Sequence, residues 1–179
     1  GGVAILNNSN FSAETSFQPG NFINLAIKQC KFEKANFQDV RIDEELLIEN
    51  CSFKSIDLYV EHAKKITMKN STVYGDGQMV FDAYAAKIEN VLIDSCEFYN
   101  NGEAFFVAGG IDPDNESETS YVNKSIVIRN SKIPFLRSVY VNSTSYNLEG
   151  CMIDLADFNH SRFGSFTIKN TKINRSINF

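Results

Sequence analysis

IKQCKF-EKANF-QDVRI (residues 27–42) sets an apolar side chain at every fifth position: Ile27, Phe32, Phe37 and Ile42. A period of five is neither the 3.6 of an amphipathic helix nor the 2 of a lone strand. It fits a coil of four short sides, each turning one large residue inward at its centre and a smaller one two positions earlier, as in Cys30/Phe32 and Ala35/Phe37. Four such sides make a turn of about twenty residues.

Working outward, the start of that stretch recurs as LNNSNF (6–11), IKQCKF (27–32), IENCSF (48–53), MKNSTV (68–73), IDSCEF (93–98), IRNSKI (128–133), LEGCMI (148–153) and IKNTKI (168–173). The intervals between starts are 21, 21, 20, 25, 35, 20 and 20, so the two long ones exceed twenty by further multiples of five. The apolar comb runs from Phe17 to Leu47, slips by one residue and resumes at Ile48. Carried to residue 173 it has 26 teeth, of which 20 are apolar or Pro; composition alone would give about 11. The teeth that fail are Gln78, Glu103, Glu118, Asn123, Ser138 and Ser143.

Coils of this kind hydrogen-bond backbone to backbone at about 4.8 Å per turn, so equivalent residues of successive turns lie on top of one another. The small residues Ser9, Cys30, Cys51, Ser71, Cys96, Ser131, Cys151 and Thr171 are then one internal column, too narrow for larger side chains. The residues just before them, Asn8, Gln29, Asn50, Asn70, Ser95, Asn130, Gly150 and Asn170, form a corner column. Asn and Gly suit a tight corner that needs left-handed backbone.

The totals narrow the function classes. No apolar run approaches the length of a membrane span, and a net charge of -5 with pI near 5.1 lacks the basic footprint of a phosphate-binding protein. Neither a membrane nor a nucleic acid is an expected partner. A signal peptide's basic and apolar regions are absent, and Gly1-Gly2 reads as a tag-removal scar. The cysteines are spaced by 21, 45 and 55 residues, which matches neither a disulfide framework nor paired zinc ligands. Several of the nine Asn-x-Ser/Thr sequons arise from the repeat's own Asn-Ser step.

Pentapeptides with Cys, Ala or Ser before a Phe, Ile or Leu centre, clearest in CKFEK-ANFQD-VRIDE (30–44) and CMIDL-ADFNH-SRFGS-FTIKN-TKINR (151–175), resemble the pentapeptide-repeat proteins. The resemblance implies an all-β, right-handed quadrilateral parallel β-helix, here degenerate, with about eight coils, two insertions and residues 1–179 as one domain. The Asn-rich, Phe-rich, cysteine-bearing coils further resemble the N-terminal domain of the HECT-like bacterial effector ubiquitin ligases of the SopA/NleL type. That resemblance implies a non-enzymatic recruiting domain secreted into the host cell cytoplasm, with reduced thiols. Its partner would be a host protein of the ubiquitin machinery or one of its substrates, and the catalytic Cys would lie in a separate C-terminal region. The last repeat is followed only by NRSINF, with no polar cap over the stack, which reads as a chain that continues.

Insertions in a repeat become surface loops, where binding concentrates. The first, around 74–87, carries Tyr74, Asp76, Phe81, Asp82 and Tyr84; the second, about 99–124, carries Asp112, Asp114, Glu116, Glu118 and Tyr121. Tyr74, Asp76, Tyr84, Asp112, Asp114, Glu116, Glu118 and Tyr121 are the candidate partner-binding residues. An acidic run is more often a solvated loop than a site. Asp112-x-Asp114-x-Glu116 lacks the sixth-position Gly and twelfth-position Glu of a calcium loop, so no metal or other cofactor is expected. His62 and His160 stand far apart off the comb, and no catalytic residue is assigned. Two rival classes stay open: a carbohydrate-active or glycan-binding β-helix, needing clustered carboxylates such as Asp94, Asp154 and Asp157, and a DNA-mimicking topoisomerase inhibitor, needing one regular acidic face.

Overall fold

A computed structural model describes residues 2–58, 60–74, 87–99, 105–106, 123–139 and 141–179. Within them the chain is a right-handed parallel β-solenoid of about seven turns with no helix. The first sheet stacks Gly2–Asn7, Asn21–Lys28, Val40–Glu49, Val60–Lys69, Lys87–Asp94, Asn123–Arg129, Asn142–Glu149 and Arg162–Lys169. The second stacks Asn10–Ser16, Lys31–Asn36, Ser52–Asp57, Thr72–Val73, Glu97–Phe98, Lys132–Arg137, Met152–Asp157 and Lys172–Asn178. The short strand Phe105–Phe106 adds to the second sheet against Leu136 and Arg137.

Each turn has four inward pairs, illustrated by Cys30/Phe32, Ala35/Phe37, Val40/Ile42 and Leu46/Ile48, all buried. Two or three outward residues separate one pair from the next, and these are the corners. Two opposite corners are made by left-handed residues. One is the expected column, with positive φ at Asn8, Gln29, Asn50, Asn70, Ser95, Asn130, Gly150 and Asn170. The other, seen at Asp39 (φ 56°) and His160 (φ 59°), has no periodic sequence signal. The remaining two corners are turned inside continuous strands, which is why one strand covers two sides.

The comb's irregularities are local. Phe22 pairs with Ile42 and Asn24 with Glu45, so the strand Val40–Glu49 holds one residue more than its neighbour between Ile42 and Leu46. That bulge is the slip after residue 42, and a similar one between Phe11 and Glu14 lengthens the first interval to 21. Both insertions leave the stack in register, with Met68 beside Ile93 and Ile93 beside Ile128. One side departs from the large-after-small expectation. The side carrying Ile27 places two large residues inward, in pairs such as Leu25/Ile27, Ile66/Met68 and Ile126/Ile128.

The internal small column is held by its own hydrogen bonds. Cys51 Sγ donates to the carbonyl of Glu49 at 3.3 Å, and Cys96 and Cys151 make the equivalent bond to Asp94 and Glu149 at 3.4 Å. Where a hydroxyl follows in the next turn it accepts from the cysteine's amide: Cys51 N–H to Ser71, Cys96 N–H to Ser131 and Cys151 N–H to Thr171, each at 3.1 Å. The left-handed corner brings the next inward side chain against the carbonyl two residues back, so only a short polar or thiol group fits. Beside this column runs an aromatic one, with Phe11, Phe32 and Phe53 stacked at 4.6 and 5.1 Å.

Candidate functional site

The rigid stack leaves two outer faces, and their chemistry differs. On the first sheet the outward ladder Lys28, Glu49, Lys69, Asp94, Arg129, Glu149, Lys169 alternates in sign at every rung. Ion pairs close along it at Lys28–Glu49 (3.5 Å), Arg129–Asp94 (2.7 Å) and Lys169–Glu149 (3.5 Å). A second ladder pairs Lys64 with Glu44 and Lys124 with Glu89, and Lys65 pairs with Glu45. A shallow depression lined by Glu44, Glu45, Lys64, Lys65 and Glu89 lies among these pairs. Its charges are satisfied internally, which leaves little to recognise a ligand.

The second sheet carries the exposed aromatic feature. Thr72 pairs with Glu97 and Val73 with Phe98, so Tyr74 and Tyr99, one residue further on, leave the sheet side by side. Their rings stack with centroids 5.5 Å apart and planes 6° from parallel, yet Tyr74 remains 55% and Tyr99 41% exposed. Lys132, on the next rung, sets its Nζ 5.1 Å from the Tyr99 ring centroid. The Tyr99 hydroxyl donates to the Glu97 carboxylate, and this bond raises the phenol's pKa, keeping it protonated. Met152, on the rung beyond Lys132, is 53% exposed. Tyr74 and Tyr99 are the last described residues before the two insertions in the sequence.

The ring faces turn toward each other and, for Tyr99, toward Lys132. Exposed tyrosines and a methionine are among the residue types enriched at protein-binding surfaces.

Among the sequence-derived candidates Tyr74 lies in this cluster. Asp76, Tyr84, Asp112, Asp114, Glu116, Glu118 and Tyr121, like Phe81 and Asp82, fall outside the described residues. Tyr99, Lys132 and Met152 were missed. Their signal was available: Tyr99 follows the tooth Phe98 as Tyr74 follows the tooth Val73. The carboxylates that a carbohydrate-active enzyme would cluster are each held elsewhere: Asp94 by Arg129, Asp154 by Asn174 and Asp157 by Arg137. Asp94 sits on the first sheet and the other two on the second. The cysteine column is buried, and burial pushes the Cys96 thiol up to about 12, the opposite of an activated nucleophile.

Comparison of the chain with protein families, with characterised proteins and with solved structures gives no match.

Proposed function

We propose that this chain is the protein-recognition domain of a secreted bacterial effector E3 ubiquitin ligase, recruiting a host protein while the transferase chemistry resides in a separate region. The observation that carries the reading is the stacked Tyr74–Tyr99 pair, exposed on an outer face of the solenoid. A preformed β-solenoid surface loses little conformational freedom on binding, which suits recruitment. The Asn-, Phe- and Cys-rich degenerate pentapeptides support the ligase assignment. The partner is then a component of the host ubiquitin machinery or a protein it modifies.

Immobilised domain incubated with host cytosol, followed by mass spectrometry and reconstitution from purified components, tests this. A ubiquitin-pathway protein, or a protein ubiquitinated during infection, is expected to form a stable complex. If no host protein does, the recruitment reading is wrong; specific binding on a glycan array in its place would select the carbohydrate alternative.

A further inference from the structure

Resting on the recruitment reading, the surface charges also point to the chemistry of the partner. The outward ladder of the second sheet runs Lys31, Ser52, Thr72, Glu97, Lys132, Met152, Lys172. Among the described residues its three lysines have no carboxylate partner, and its one carboxylate, Glu97, is occupied by the Tyr99 hydroxyl. Neighbouring ladders behave differently: Lys54 pairs with Glu33, Lys34 with Glu14 and Arg137 with Asp157. On a chain of net charge -5, a line of unpaired cations beside exposed apolar side chains is a local inversion of sign.

We propose that this strip, from Tyr74 and Tyr99 across Lys132 and Met152 to Lys172, docks an extended acidic segment of the recruited protein. Lys132 and Lys172 are two rungs apart, about 9.6 Å at the spacing of stacked strands. Two acidic residues three positions apart in a polyproline II segment are separated by about 9.3 Å. A segment running along the stack with acidic residues at its first and fourth positions therefore meets both lysines, with its backbone passing over Met152. The exposed Tyr74 extends the contact beyond Lys132. Sequence preference comes from charge sign and spacing.

The test uses the peptide PPEPLEPPG and its cationic counterpart PPKPLKPPG, titrated into the isotope-labelled domain while backbone amide shifts are followed. The acidic peptide is expected to give saturable shifts clustered on Glu97, Lys132 and Met152, and the cationic one none. Lys132→Glu should weaken binding roughly ten-fold or more, Tyr74→Ala should weaken it several-fold, and Lys64→Glu on the opposite sheet should leave it unchanged. All three side chains are exposed and lie outside the core, so each variant is expected to stay folded.

Absence of saturable shifts at millimolar peptide, equal response to both peptides, or shifts elsewhere on the molecule would overturn the proposal. So would an oligothymidylate that moves the same amides when the acidic peptide does not, since the strip would then bind phosphate. A host partner held as tightly by the Lys132→Glu domain as by the unmodified one removes the strip but leaves recruitment standing.

Discussion

The Tyr146 hydroxyl lies 2.7 Å from Ser138 Oγ, with both side chains fully buried. Tyr146 occupies the column filled by Ile126 one turn earlier, and its ring packs against Phe158, Phe163 and Phe166 at 5.1 to 5.6 Å. The comb fails at Ser138 and Ser143 because this larger ring takes up the volume that two apolar teeth would have filled. Ser138→Ala leaves the buried phenol without its hydrogen-bond partner and should cost about 1–3 kcal/mol. Tyr146→Phe removes the hydroxyl itself and should cost less, about 0.5–1.5 kcal/mol. In urea unfolding the double variant should lose less than the sum of the two; strict additivity would show that the pair does not interact.

The four thiols are expected to be inert in the native state. Burial raises the pKa of Cys51, Cys96 and Cys151 above that of an ordinary thiol, so the reactive thiolate is scarce at neutral pH. Cys30 and Cys51 occupy adjacent turns, yet stacking in register keeps their Cβ atoms about 4.8 Å apart. A disulfide needs about 3.5–4.5 Å. Ellman's reagent should therefore find essentially no thiol in the folded domain and four after denaturation, and mild oxidant should produce no Cys30–Cys51 cross-link. Rapid native labelling at any of the four would refute the column.

The corner column makes opposite predictions for two substitutions. At Asn70 (φ 47°) a glycine loses little, because the left-handed backbone is what the position requires. At Gly150 (φ 63°) an alanine is strained twice, since its Cβ would also lie 2.8 Å from Asn130 Oδ1. Gly150→Ala should destabilise by about 1–2 kcal/mol, the usual cost of forcing a side chain into this region, and lower the melting temperature. Asn70→Gly should change it little. A Gly150→Ala domain as stable as the parent would show that the corner relaxes freely.

Periodic features were legible in the sequence because stacking repeats one environment every turn. Cys30 and Cys51 had to be small, and Asn50 and Asn70 had to tolerate a left-handed corner, so the same residue types recur where the same constraint recurs. The second left-handed corner was not legible. It is solved by unlike residues, Asp39 in one turn and His160 in another, with no shared side-chain requirement. Tyr146 was hidden for a related reason: its size is matched to a failed tooth, Ser138, whose hydroxyl it meets inside the stack, and Tyr146 itself is not a tooth of the comb. The binding candidate was half visible. Tyr74 stood out as the border of an insertion, whereas Lys132 joins it only through a register spanning an insertion between Glu97 and itself.

Two aspartates should respond to acid in opposite directions. At Asp94, hydrogen bonding from Arg129 is the largest influence, and the carboxyl is held below its ordinary 3.8 in the fold. A depressed carboxylate contributes stability that is complete above the unfolded value and is lost as pH falls through 3.8 toward the folded one. Asp57 is the reverse: burial is its largest influence and raises it above 3.8, with Lys34 offsetting only part. Its charged form opposes folding at neutral pH, and that penalty is relieved as pH drops through the raised value. Asp94→Asn should therefore destabilise the domain at pH 7, by about 1 kcal/mol given the solvent exposure of Arg129, and by much less at pH 3. Asp57→Asn should leave stability at pH 7 unchanged or slightly higher and lose that advantage on acidification. Unfolding curves of both variants between pH 3 and 7 check the signs, and parallel curves would show that neither carboxyl is perturbed by the fold.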